Sequence, residues 1–174
     1  MHLAGCPYGL WRNAPREGRA GLGRGSCVQS RLIPALRARH EPQTLLNLDD
    51  VKRIAAAAEA EAKANGWLVT IAIVDDGGHL LWLQRLDGAA PVSAHIAPAK
   101  ARTAALGRRE TKTYEDMINQ GRTSFLSVPE IEGLLEGGMP VLADGHCVGA
   151  IGVSGVKSSE DAQIAKAGIA ALGA

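Results

Sequence analysis

Lys100 and Thr103 stand three residues apart in a helical pattern, on the face that also carries Ile96. An amine beside a hydroxyl on an otherwise apolar helix face makes a grip for a carboxylate. His95, one position before Ile96, lies at the edge of that face, where an imidazole can ligate a metal or a cofactor. Later in the chain, Gly137-Gly138 and Gly152 to Gly155, with Ser154 inside the second group, could turn backbone N–H groups toward an anion. The N-terminus of the next helix would add its dipole. Each feature also has a plainer reading. Lys100 can extend to solvent past small neighbours, and Thr103 can bond a nearby carbonyl. His95 can simply be exposed, and the glycines can serve turn geometry while Ser158, Ser159 or Asp161 caps the helix. Ser154 has no His or acid beside it in sequence, which argues against a nucleophilic hydrolase. His79 and His146 fall at hairpin turns as solvated residues, and no metal site is expected.

The elements that must position these residues can be read from periodicity. Asn47-Leu48-Asp49-Asp50 reads as a helix N-cap with an acidic residue three positions on. Val51, Ile54, Ala55, Ala58 and Ala62 then repeat at helical spacing, and Asn65-Gly66 is a stop. That stripe is nearly all Ala, so it needs close approach over a wide area, and it is the surface on which a dimer or higher assembly is expected to form. Leu68 to Val74 is a central strand. Asp75-Asp76-Gly77-Gly78 turns the chain into a second strand, His79 to Arg85. Pro91 to Leu106 and Thr111 to Asn119 read as helices, while Glu130 to Leu134 fits a strand or a helical turn. Met139–Ala143 and Cys147–Val153 flank Asp144-Gly145, the strongest local hairpin signal, since both central residues must reach positive φ. A last helix opens at Ser158, striped by Ile164, Ala165, Gly168, Ile169 and Leu172. Helix, hairpin, two helices, hairpin, helix gives an α+β domain with an antiparallel sheet. No GxGxxG comes after a strand, so a parallel nucleotide-binding sheet is not expected.

The net charge of +1 hides an asymmetry. Residues 1–43 hold seven Arg and two Glu, which leaves twelve basic and sixteen acidic residues for the remainder. The division expected is a disordered Arg/Gly/Pro-rich extension at 1–44 and a folded domain at 45–174. The extension lacks the uninterrupted apolar core of a secretory signal, and its Gly and Pro would spoil a transit-peptide helix. An upstream start codon or an idle segment explains it best. Its aromatics are too scattered for nucleic-acid stacking, and no stretch reaches membrane-spanning length, so neither nucleic acid nor membrane is an expected partner. Cys6, Cys27 and Cys147 form no CxxC pair, and an odd count argues against a disulfide framework. The cytoplasm is the expected compartment, and Cys147 reads as a buried thiol.

Residues 45–174 resemble the GlcG/HbpS-like family, which includes the C-terminal domain of PduO-type proteins. The resemblance rests on the Ala-rich first helix, Val74-Asp75-Asp76-Gly77-Gly78 and Ala99-Lys100-Ala101-Arg102-Thr103-Ala104. It continues through Gly137-Gly138-Met139-Pro140-Val141, Asp144-Gly145, Val148 to Gly155 and the closing Asp161…Ile164-Ala165…Ala167-Gly168. It implies a profilin-like fold, a five-stranded antiparallel sheet between helices, and a homo-oligomer. Haem is the cofactor it implies, with Lys100 set to grip a propionate and Thr103 or His95 to face the iron. The leading expectation is therefore a small-ligand or haem-binding accessory protein, with its pocket between the middle helix and the Gly-rich strands. The competing readings are an isomerase or lyase acting on a small hydroxy or oxo acid, with Lys100 or His95 as acid/base, and an oligomeric scaffold without catalysis.

Overall fold

The computed structural model describes residues 45–173, and the extension expected at 1–44 lies outside the described residues. Helix α1 (Leu48–Ala64) starts where its cap predicts: Asn47 Oδ1 accepts from the backbone N–H groups of Asp49 and Asp50, each at 2.9 Å. Asp50 returns the bond by accepting from Asn47 N at 3.4 Å, so orphan N–H groups of the first turn are satisfied locally. Strands β1 (Thr70–Asp75) and β2 (Leu80–Arg85) form the first hairpin. Helix α2 (Ser93–Gly107), helix α3 (Lys112–Asn119) and a short 3₁₀ turn (Thr123–Ser127) come next. Strands β3 (Gly138–Ala143) and β4 (His146–Ser154) make the second hairpin, and helix α4 (Ser158–Ala170) closes the domain. Asp144 and Gly145 have φ of +50° and +79°, the left-handed pair that a two-residue hairpin demands.

The sheet is antiparallel throughout, in the order β2-β1-β4-β3. It has four strands among the described residues, not the five expected. Glu130 to Leu134, left open between strand and helical turn, takes neither form. Residues 128–137 instead run as an irregular strap. Two of the strap's N–H groups are held by side chains: Gly133 N donates to Thr103 Oγ1 and Glu136 N to Glu115 Oε2. Backbone donors spent this way are not available to a ladder.

Each sheet face has its own cover. Ile71, Ile73, Val141, Ile151 and Val153 pack beneath α1 and α4 in the larger core. Full burial of each of these branched side chains contributes about 1.5–3 kcal/mol. On the opposite face Ala72, Val74 and Ala150 meet Ala97, Ala101 and Ala104 of α2. The inward face of α2 is thus headed by Ala97 rather than Ile96, which is only half-buried. Small residues on both sides bring helix and sheet together, and Gly152 marks the limit: a Cβ there would stand 2.2 Å from the Ala97 carbonyl oxygen. The Ala stripe of α1 is likewise consumed inside the domain. Ala55, Ala58 and Ala62 are buried in the same core as α4, so the stripe expected to carry self-association is covered within the domain, while Ala56, Ala60 and Ala64 of the same helix stay exposed. No helix among the described residues is long and apolar enough to cross a membrane.

Candidate functional site

Lys100 points inward. Its Nζ donates to Asp161 Oδ2 at 2.8 Å and to the Val153 carbonyl at 3.0 Å, and both charged side chains are only 2 % exposed. The solvated amine of the plainer reading is therefore replaced by a buried ion pair that ties α2 to α4. Local sequence makes room for it. Gly137, at φ +119°, passes directly over the ammonium, and a Cβ on it would lie 2.8 Å from both Lys100 Nζ and Asp161 Cβ. Gly137 O accepts from Val153 N, and beyond it Lys100 supplies the donor to Val153 O. Burial pushes the Asp161 carboxyl above its ordinary value, and the hydrogen bond and charge of Lys100 oppose that push only in part. Asp161 Oδ1 also accepts from Val156 N at 3.3 Å. This is the use of Asp161 that sequence reasoning missed. The available signal was an acidic residue on the buried stripe of α4, beside Ala162, Ile164 and Ala165.

Thr103 is fully buried, and its Oγ1 accepts from Gly133 N at 3.2 Å rather than donating to a nearby carbonyl. Gly133 sits against the α2 backbone, where a Cβ would meet Lys100 N at 2.2 Å. Thr111, not singled out from sequence, accepts from Gly138 N at 2.9 Å and donates to Leu135 O at 2.5 Å. Lys100, Thr103, Gly137 and Gly138 thus converge, and the strap is clamped over them. The N–H of Gly138 is already given to Thr111, so here the glycine serves close approach to Lys100 O. Gly152 touches α2 and Gly155 the backbone of Leu68 and Val69. Ser154 is buried opposite Thr70 in the ladder. Among the described residues, the interface between α2 and the Gly-rich strands, the expected place of the pocket, is closed by backbone contact at Gly138 and Gly152.

Open space lies on the other side of α2. A cavity of about 170 Å³ is bounded by Ala99, Arg102, Glu130 and Glu132. An adjoining hollow of about 420 Å³ shares Glu130 and Glu132 and adds Leu126, Val128, Ile131 and Leu134. Arg102 and Glu130 form an ion pair across the groove, and Glu130 holds φ +72°, a conformation that costs a non-glycine residue about 1 kcal/mol or more. His95 is exposed. Helical spacing puts His95, Ala99 and Arg102 in one row along the outer face of α2. The groove therefore joins apolar side chains to a guanidinium, with an imidazole about two turns from the guanidinium on the same helix face. The other histidines among the described residues stay apart from it: His79 turns back on Asp75, its backbone N–H at 2.8 Å from Oδ1, and His146 is exposed at the start of β4. The Asp75 carboxyl is raised by burial and lowered more by the His79 hydrogen bonds, ending below its ordinary value. No group of three metal-ligating side chains occurs among the described residues. Cys147 is buried in β4, with Sγ 3.3 Å from Gly149 O.

Fold and groove together define a small α+β domain in which one helix, α2, is backed by an antiparallel sheet and borders a groove on its outer side. The chain belongs to the HbpS-like family, described as haem-degrading proteins, whose model matches residues 46–170. It is 54% identical over 112 residues to protein GlcG of Escherichia coli K12, covering 64% of this chain and 83% of GlcG. The crystal structure of HbpS superposes with a TM-score of 0.72 at 36% identity, over 79% of this chain and 96% of that one. A crystal structure of a PduOC:heme complex superposes with a TM-score of 0.67 at 29% identity, over 74% and 95% respectively.

Proposed function

We propose that this chain is a haem-binding accessory protein whose site is the groove between α2 and the strap. The observation that carries this reading is that Ala99 and Arg102 border a groove whose adjoining wall is Leu126, Val128, Ile131 and Leu134, with His95 exposed one turn before Ala99 on the same helix face. A haem asks for a flat apolar surface, a cation for its carboxylates and an axial donor, and these residue types supply all three. His95 would ligate the iron, and Arg102 would exchange Glu130 for a propionate. When bound, the iron supplies one-electron and oxygen chemistry. Lys100 and Thr103 act from behind: Lys100 ties α2 to β4 and α4, and Thr103 holds the strap that forms the groove with α2. The family description and the haem complex of a relative support this reading. In the same reading the fold is profilin-like, the protein is a cytoplasmic homo-oligomer, and small anionic ligands share the groove through Arg102.

The competing isomerase or lyase would draw on Lys100 or His95 as acid/base. The Lys100 amine is committed to Val153 and Asp161, which leaves that reading to His95. Haem titration of the purified protein decides between them. A visible absorbance band should appear on reconstitution, shift or vanish in His95→Ala, and require on the order of ten-fold more haem in Arg102→Ala. Turnover of a small hydroxy or oxo acid without haem, together with no haem band, would overturn the proposal.

A further inference from the structure

Strand β2 stands at one end of the sheet and is hydrogen-bonded only to β1. An edge strand presents a row of free backbone donors and acceptors, and monomeric proteins guard such rows with Lys, Pro, acidic residues or very short strands. Here six residues run Leu80-Leu81-Trp82-Leu83-Gln84-Arg85, with no charge or proline before the last. The one protective device is a register shift between Ile73 and Val74, which leaves Leu81 without a partner in β1. Leu83 pairs with Ala72 and Leu80 with Val74, so both point to the α2 side of the sheet. Yet α2 lies mainly over β4, β1 and β3 and touches β2 only marginally. In consequence Leu80, Leu81 and Leu83 are 52, 40 and 44 % exposed, and Leu106 at the end of α2 is 41 % exposed. Leu106 lies beside the β1–β2 turn, close to Gly78, so the leucines form one patch. Isolated exposed leucines are ordinary, but a contiguous patch on an open edge is not.

We propose that β2 is a self-association edge: two copies pair β2 to β2, antiparallel about a two-fold axis, into one continuous eight-stranded sheet. A second copy is the occupant the observations select. A strand paired antiparallel with itself is self-complementary by symmetry, which is the isologous contact of a two-fold dimer. The charges agree as well. Arg85, at one end of β2, has no ion pair among the described residues. A pairing centred on Leu83 brings Arg85 toward the acidic Asp75-Asp76 turn at the other end of the partner strand. The leucine patches then meet on the α2 side and cover each other. This inference names a surface for the self-association proposed above, and it is independent of haem.

The test is solution mass by light scattering and sedimentation of the full chain, with Leu83→Lys and Leu142→Lys compared. Both leucines are exposed, and Leu142 lies on β3, the opposite edge of the sheet. The parent should be a two-fold assembly at micromolar concentration. Leu83→Lys should shift it to lower mass with an unchanged melting temperature, because two lysines then face each other across the axis. Leu142→Lys should leave the mass unchanged, and Arg85→Glu should weaken association about ten-fold at low salt and less at high salt. A parent that is monomeric overturns both self-association and this surface. A Leu83→Lys variant that associates like the parent overturns the surface alone, as does dissociation by Leu142→Lys. The haem band, recorded on the same samples, reports separately on the groove.

Discussion

Replacing Lys100 with Met keeps the stem and removes the charge, and the contacts around the amine set the cost. Asp161 loses its 2.8 Å donor and retains only Val156 N at 3.3 Å, while Val153 O loses a donor inside the core. A buried carboxylate stripped of its partner costs about 3–5 kcal/mol. At neutral pH the variant should therefore lose about 3–5 kcal/mol of unfolding free energy. The loss must also depend on pH. Burial already pushes the Asp161 carboxyl up with Lys100 in place, and removing the lysine raises it further. A carboxyl whose folded pKa exceeds its unfolded value, about 3.9, favours the fold when protonated. Its contribution is complete below the unfolded value and is lost as pH rises through the folded one. The Lys100→Met penalty should accordingly shrink from pH 7 toward pH 4, by about 1.4 kcal/mol for each unit of additional pKa rise. Urea unfolding of parent and variant at pH 4.5 and pH 7 measures both numbers. Lys100→Met combined with Asp161→Leu should recover much of the loss and flatten the pH dependence. A loss under 1 kcal/mol at pH 7, or equal losses at the two pH values, would refute the reasoning.

Gly152→Ala should destabilise the domain by about 3 kcal/mol or more, since the new methyl would meet the α2 backbone at 2.2 Å from Ala97 O and 2.5 Å from Ala101 N. Thermal unfolding checks it, and an unchanged melting temperature would mean that α2 sits farther from the sheet. Thr103→Val should cost about 1–3 kcal/mol by leaving Gly133 N buried without an acceptor. Hydrogen exchange at Gly133 should accelerate along with that loss.

The local signals survived folding well. The Asn47 cap, the Asn65-Gly66 stop and the Asp144-Gly145 turn each depend on residues within a few positions of one another, so their chemistry is complete in the sequence. The apolar runs on either side of the two hairpin turns and the stripes of α1 and α4 carried the order of elements for the same reason. The sequence also brought forward Lys100, Thr103, Gly137 and Gly138, which do converge. It could not say that they converge on each other rather than on a ligand. Lys100 and Asp161 are 61 residues apart, and no spacing rule relates an amine on one helix to a carboxylate on another layer. The strap was undecided because its N–H groups found Thr103 and Glu115, side chains from other elements, where a strand would have needed a neighbour. The Ala stripe of α1 was legible as a close-packing surface, but whether it met α4 or a second chain depended on where α4 landed. What the sequence by itself determined was periodicity, caps and turns, because these are settled by sterics and hydrogen bonds within one turn or one hairpin. What only the tertiary structure decided was which polar groups are buried together and which apolar faces remain uncovered, because burial is a property of the packed layers.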